Sequence, residues 1–387
     1  MTSRLPSPSA LARTLLLCGA MLAMAVSTRA RADTAAAPTS PAAPQQFARL
    51  GDLRLESGAV IHDCQLGYRT LGTLNAARDN AILVPTWHTG TSGQLLEVLG
   101  PQGLFDPAPY FVILVDALGN GVSCSPSNSA SQHGKAFPAF TIRDMVASQH
   151  RLLTEQLGLH HLRAVVGYSM GGMQTLQWTV SHPRFMDAAV AIAATPRLSS
   201  YDLLFWRTAE QAIVTDAAFA GGDYQRNPPL PLFQMVFALN ATSPDFRQHK
   251  TTPAEFDKFL RETVAPDPEA PDANDNLAQI RALLSQDIGA GPGGPPGLEQ
   301  AATRVRARVH LINARQDQLV NPRAAQTLAP MLHARLTLLD SECGHFAIQC
   351  DMASIRAAVE MALKPEVGSV PEAISKPRSA GIAVTPK

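Results

Sequence analysis

The sequence predicts an α/β protein built on a mostly parallel, doubly wound sheet, and three observations carry that prediction. Short, continuous apolar runs recur along the chain, and segments of helical period lie between them. One of the runs passes through a Gly-x-Ser-x-Gly turn straight into a helix. A length of 387 residues allows one large or two ordinary domains. Hydrophobic residues at 45% and charged residues at 17% suffice for a sizeable core and exclude disorder throughout. Lys+Arg and Asp+Glu number 32 each with no basic run, so nucleic acid is not an expected partner.

The elements follow in order. Arg4 and Arg13 flank the start of an apolar stretch, Leu15 to Val26, and Ala30-Arg31-Ala32 then offers a small-x-small site. This is the pattern of a secretory signal over residues 1–32, with a mature start near Asp33. The stretch is too short to cross ~30 Å of hydrocarbon as a helix, so no membrane span is expected in the mature chain. Its removal takes four arginines and no acid, leaving 28 basic against 32 acidic residues. Residues 33–46, rich in Ala, Pro, Thr and Ser, read as a flexible leader.

Leu53 to Tyr68 reads as an antiparallel hairpin. Candidate buried strands are Asn80–Trp87, Tyr110–Ala117, Arg163–Tyr168, Ala188–Ala194, Val309–Ala314 and Leu336–Leu339. Between them, Ile142, Met145, Val146, Leu152 and Leu153 recur at helical spacing after Thr141 and end near Gly158. Gly172–His182 is a second helix, stopped by Pro183, and Met352, Ile355, Val359 and Leu363 mark a C-terminal one. The core therefore covers 47–197 and 301–363. The segment 198–300 interrupts it with helical patches at Ser199–Thr215, Leu232–Leu239, Pro253–Val264 and Asn276–Ser285, and Gly289–Gly297 reads as a linker. This insertion is expected to act as a lid over the functional edge of the sheet. Residues 364–387, with four prolines, read as a disordered tail.

Export would change the meaning of the cysteines. Beyond Cys18 there are Cys64, Cys124, Cys343 and Cys350, which allow three pairings. Cys343–Cys350 with Cys64–Cys124 is the simplest pairing, and four free thiols are the alternative. No two cysteines have zinc-ligand spacing, and neither a metal nor a cofactor is expected.

Chemistry concentrates at Gly167-Tyr168-Ser169-Met170-Gly171, with the strand Ala164-Val165-Val166 before it and a helix opening after it. A turn so sharp needs residues without bulk around the serine, and it aims Ser169 above the sheet with the Met170 N–H beside it. A serine hydroxyl needs a base and a carboxylate to orient that base, which in this arrangement follow in the order serine, acid, histidine. His345 lies just after the last candidate strand. His310 is within a strand and His333 falls in an apolar helical segment, so both read as structural. Asp317, in the loop after Val309–Ala314, is the candidate acid, with Asp340 as runner-up. A second oxyanion donor is expected from the backbone N–H of His88 or Thr89, in Trp87-His88-Thr89-Gly90.

These motifs resemble those of the homoserine O-acetyltransferases. The likeness lies in Gly167 to Gln174, Thr141-Ile142-Arg143-Asp144-Met145-Val146, Asp106-Pro107 through Tyr110-Phe111-Val112-Ile113, Leu118-Gly119-Asn120-Gly121 and Gly221-Gly222-Asp223-Tyr224. It runs from about residue 50 to 360. The resemblance implies an α/β-hydrolase fold with an inserted helical lid, a Ser169-Asp317-His345 triad, and acetyl transfer from acetyl-CoA to homoserine. It also implies that Tyr224 and Gln234 contact substrate. Three positions depart from the family: Tyr168 replaces a glycine, Phe346 an aspartate, and Gln234 the lid arginine that grips the homoserine carboxylate. The expectation is therefore an exported serine hydrolase of an ester-like or other small-molecule acyl substrate. An O-acyltransferase and a non-catalytic binding protein on the same scaffold are the alternatives, and a homo-oligomer is left open.

Overall fold

A computed structural model describes residues 43–291 and 297–364. The expected signal segment, most of the leader, the centre of the Gly/Pro linker and nearly all of the expected tail lie outside the described residues. The elements in chain order begin with β1 (Gln46–Arg54), β2 (Val60–Leu71), β3 (Ala81–Pro85), α1 (Ser92–Glu97), β4 (Phe111–Val115) and α2 (Ile142–Arg151). Next come β5 (Leu162–Tyr168), α3 (Met170–Ser181) and β6 (Met186–Ile192). The segment before the next strand is helical: α4 (Ser200–Val214), α5 (Pro231–Ala241), α6 (Pro244–Lys250), α7 (Phe256–Thr263), α8 (Ala273–Leu284) and α9 (Leu298–Arg304). The chain then returns through β7 (Arg308–Ala314), α10 (Pro322–Met331), β8 (Arg335–Leu339), α11 (Ala347–Cys350) and α12 (Met352–Leu363).

The eight strands form one sheet in the order β1-β2-β4-β3-β5-β6-β7-β8. The pairs β1–β2 and β2–β4 are antiparallel, and every later pair is parallel. Strands β3 to β7 are buried on both faces, which is why they read as unbroken apolar runs. One apolar layer packs α2 and α3 through Met145, Val146, Met173 and Trp178, and the opposite layer packs α12 through Ile355 and Val359. Among the described residues no helix is long and apolar enough to cross a membrane.

Several sequence expectations shift. The hairpin is longer than Leu53–Tyr68, because register shifts around Gly51 (φ +62°) break the alternation of β1 and hide its start. Residues 43–46 belong to the packed body rather than to a flexible leader: Ala43 is buried, and the Gln45 amide donates to Asp116 Oδ2 at 3.0 Å. His333 is not in a helix but in the exposed turn after α10, at φ +48°. Helix α6 was hidden by Pro244. That proline opens the helix behind Ser243, whose hydroxyl accepts the Phe246 N–H. Both anticipated cysteine pairs are disulfides, with Cα–Cα distances of 5.2 Å for Cys64–Cys124 and 6.4 Å for Cys343–Cys350.

Candidate active site

The residues singled out for chemistry all follow carboxyl ends of parallel strands. The loop 87–90 follows β3, Ser169 follows β5, Asp317 follows β7 and His345 follows β8. Open α/β sheets bind ligands along this edge.

Ser169 sits at φ +56°, ψ −123°, outside the helix it caps. A non-glycine residue held there carries roughly 1–3 kcal/mol of backbone strain, so the surroundings must enforce it. They do so through two backbone bonds, Ser169 N–H to Ile192 O (2.8 Å) and Met173 N–H to Ser169 O (3.0 Å). The flanking glycines are obligatory by contact. A Cβ on Gly167 would lie 2.1 Å from Gly171 O, and one on Gly171 would lie 2.4 Å from Pro85 O.

His345 Nε2 lies 2.8 Å from Ser169 Oγ, and His345 Nδ1 lies 2.8 Å from Asp317 Oδ2. All three side chains are buried. The other Asp317 oxygen accepts the N–H groups of Leu319 (2.9 Å) and Val320 (2.8 Å), so the carboxylate is fixed from behind. Asp340 is elsewhere: it pairs with Arg315 on the surface. Tyr168 donates its hydroxyl to the His345 carbonyl and tilts its ring against the imidazole. It props the histidine loop. The sequence carried no signal for this, because the contact spans 177 residues.

Of the two candidate oxyanion donors, the Thr89 N–H is taken by Gln279 Oε1 at 2.7 Å. No hydrogen bond consumes the His88 N–H among the described residues. The Met170 N–H, at the first position of α3, has no intrahelical acceptor. Beside them Asp116 is wholly buried and accepts from Ser92, Asn120 and Gln45, tying the loops after β3 and β4 together.

The alpha/beta hydrolase fold family model matches residues 97–348 of this chain. The chain belongs to that family. The ethyl acetate hydrolase of Pseudomonas veronii is 36% identical over 289 residues, 71% of this chain and 81% of that protein. The homoserine O-acetyltransferase of Caulobacter vibrioides is 31% identical over 350 residues, covering 80% and 91%. Among solved structures, the acetyl esterase MekB superposes with a TM-score of 0.75 at 32% identity, covering 83% of this chain and 95% of that one. This alpha/beta hydrolase thus has both esterases and acetyltransferases among its relatives.

Of the two residues implied as substrate contacts, the Tyr224 hydroxyl and the amide nitrogen of Gln234 are engaged within the fold. Gln234, on α5, donates its amide to Pro229 O at 2.6 Å. The Tyr224 hydroxyl donates to Asp272 Oδ1 (2.6 Å) and accepts the Asn274 N–H (2.9 Å), fastening the start of α8. Phe346, beside the histidine, faces Phe237 of α5 with ring centroids 6.5 Å apart.

Burial sets how the stability of this alpha/beta hydrolase responds to pH. It pushes the pKa values of His88, His182 and His310 down to about 4, and that of Asp275 up to about 7. The signs oppose. Between about pH 6.5 and 4 each histidine is neutral when folded and protonated when unfolded, so acid favours unfolding. Between about pH 7 and 4 Asp275 is protonated when folded and ionised when unfolded, so acid favours folding. Three against one leaves a net loss. With His182 and His310 discounted for solvent screening, the surplus is on the order of 3 kcal/mol. Calorimetry is expected to find Tm about 3–6 °C lower near pH 4.5 than near pH 7. A Tm that rises over that interval would mean that Asp275 outweighs the histidines.

Proposed function

We propose that this chain is an exported serine esterase that cleaves short acyl esters, acetyl esters foremost, through an acyl-enzyme. The observation that carries the reading is the unbroken hydrogen-bond chain Ser169–His345–Asp317 at the head of α3. Ser169 Oγ attacks the ester carbonyl while His345 Nε2 takes its proton, and Asp317 holds the imidazole in the tautomer that can accept it. The oxyanion lies against the N–H groups of Met170 and His88. The alcohol leaves with the proton from His345, and a water activated by the same nitrogen releases the acid.

Homoserine transfer is the second reading, favoured by the 31% identity to an acetyltransferase. Charge argues against it. Homoserine is a zwitterion, and a lid closing over it must pair its carboxylate or leave the charge desolvated at a cost of several kcal/mol. No arginine occurs between Arg226 and Arg247, and the Arg247 guanidinium stacks on the Phe259 ring at 3.9 Å. A neutral ester meets no such penalty beside Phe237 and Phe346. The ethyl acetate hydrolase and acetyl esterase named above support an acetyl ester as substrate. Two disulfides suit an oxidising compartment, which supports the signal reading of residues 1–32 and separates the enzyme from cytoplasmic acetyl-CoA.

Protein recovered from outside the cytoplasm is expected to begin near Asp33 by mass and to hydrolyse ethyl acetate and p-nitrophenyl acetate. Homoserine-dependent CoA release on the same preparation is expected to be at least ~100-fold slower, given ~1.4 kcal/mol per factor of ten. Homoserine-dependent release faster than ester hydrolysis would overturn the esterase reading, and a chain retaining Met1 inside the cytoplasm would overturn export.

A further inference from the structure

The inserted helices do more than cover the site: one of them reaches into the loop that would bind the oxyanion. Gln279, on α8, is wholly buried. Its Oε1 accepts the Thr89 N–H at 2.7 Å, and its Nε2 donates to Leu118 O at 2.9 Å. Only one orientation of the amide satisfies both partners, because a backbone N–H must meet the oxygen and a carbonyl must meet the nitrogen. One side chain thus clamps the loop after β3 to the loop after β4, from a third element.

The clamped residue is unusual. Thr89 is a β-branched residue at φ +58°, a conformation that needs enforcement from outside. The remainder of the loop is held by the core. Gln174 donates to Thr86 O at 3.0 Å, and Asn120 donates to Gly90 O at 2.9 Å. Helix α8 is itself anchored one turn earlier, where Asp275 accepts the N–H and hydroxyl of Ser127. We infer that Gln279 is a positioning residue for ester cleavage: by occupying the Thr89 N–H and holding its backbone turned, it leaves the His88 N–H as the second oxyanion donor. The inference rests on the serine esterase reading above. It makes the insertion part of the catalytic apparatus as well as a cover.

A donor that serves the developing oxyanion acts in the transition state, so its misplacement lowers kcat and leaves KM nearly alone. Gln279→Leu keeps much of the volume and removes both hydrogen bonds. It is expected to lower kcat on p-nitrophenyl acetate about 10- to 100-fold, with KM within about threefold. Gln279→Glu supplies a second readout. Ionised, it still accepts from Thr89 but sets an oxygen against Leu118 O; protonated, it reproduces the amide's donor and acceptor. The ratio of Gln279→Glu to wild-type kcat is therefore expected to rise as pH falls, and a ratio cancels the titration the two enzymes share. If Gln279→Leu does not fold, that pH ratio decides alone. A kcat within twofold of wild type, a loss carried by KM, or a flat ratio overturns the inference. Ser169→Ala run alongside separates the two readings. Turnover that survives it sinks the serine esterase and this inference together, whereas an inactive Ser169→Ala beside a wild-type-like Gln279→Leu sinks the inference alone.

Discussion

Ser169→Ala is expected to abolish covalent labelling by a fluorophosphonate and to lower ester kcat by about 10⁴–10⁶-fold. The size follows from what remains. The Met170 and His88 N–H groups and the binding surface would still favour a tetrahedral oxyanion over free solution, so turnover falls to a residual level rather than to the uncatalysed rate. Among the described residues no other hydroxyl is hydrogen-bonded to His345 Nε2: the Ser169 hydroxyl lies 2.8 Å from it, and backbone bonds at 2.8 and 3.0 Å fix the serine's backbone. The fold is expected to survive. The change removes one hydrogen bond, worth about 1 kcal/mol, and leaves the φ +56° turn to another small residue. A correctly folded variant that still labels at the same rate would remove Ser169 from the mechanism.

How far the site could be read from sequence depended on the range of the interactions that build it. The turn around Ser169 was legible because its constraint is local: Gly167 and Gly171 answer contacts that any Cβ would violate. Asp317 and His345 were legible because a parallel sheet delivers its loops to one edge, so order along the chain stands in for position in space. The buried strands were legible to within a few residues for the same reason, since burial on both faces leaves an uninterrupted apolar run. Tyr168 and Gln279 were not. Tyr168 looked like a departure from a motif, and its use appears only when the His345 carbonyl comes within reach of its hydroxyl. Gln279 is one polar residue in a helical patch until α8 is laid across the loop after β3, 190 residues away in sequence. The helical patches read in 198–300 omitted α6, because Pro244 stands in its first turn, where the missing N–H of a proline costs nothing. The cysteine pairing read from spacing is the one found, whereas the choice between disulfides and free thiols needed the Cα–Cα distances.

Asp317→Asn separates the two acids that the sequence offered, and the hydrogen bonds give the expected direction. Asp317 Oδ1 accepts two backbone N–H groups while Oδ2 faces His345 Nδ1. An amide at that position has one oxygen and one NH₂ to distribute. If the NH₂ turned inward it would set two donors against the Leu319 and Val320 N–H groups, so the oxygen stays with the backbone and the NH₂ turns to His345. The imidazole must then accept at Nδ1 and carry its proton on Nε2. That nitrogen now donates to Ser169 Oγ and can no longer take the serine's proton. The base is lost with the geometry intact, and kcat is expected to fall by about 10⁴-fold while KM changes little. Asp340→Asn is expected to leave kcat within about twofold, because it breaks only an exposed ion pair with Arg315, worth less than about 1 kcal/mol. Steady-state kinetics of the two variants on p-nitrophenyl acetate make the comparison. A severe loss at Asp340 with near-normal turnover at Asp317 would transfer the orienting role to the other carboxylate, and would require the histidine loop to move before reaction.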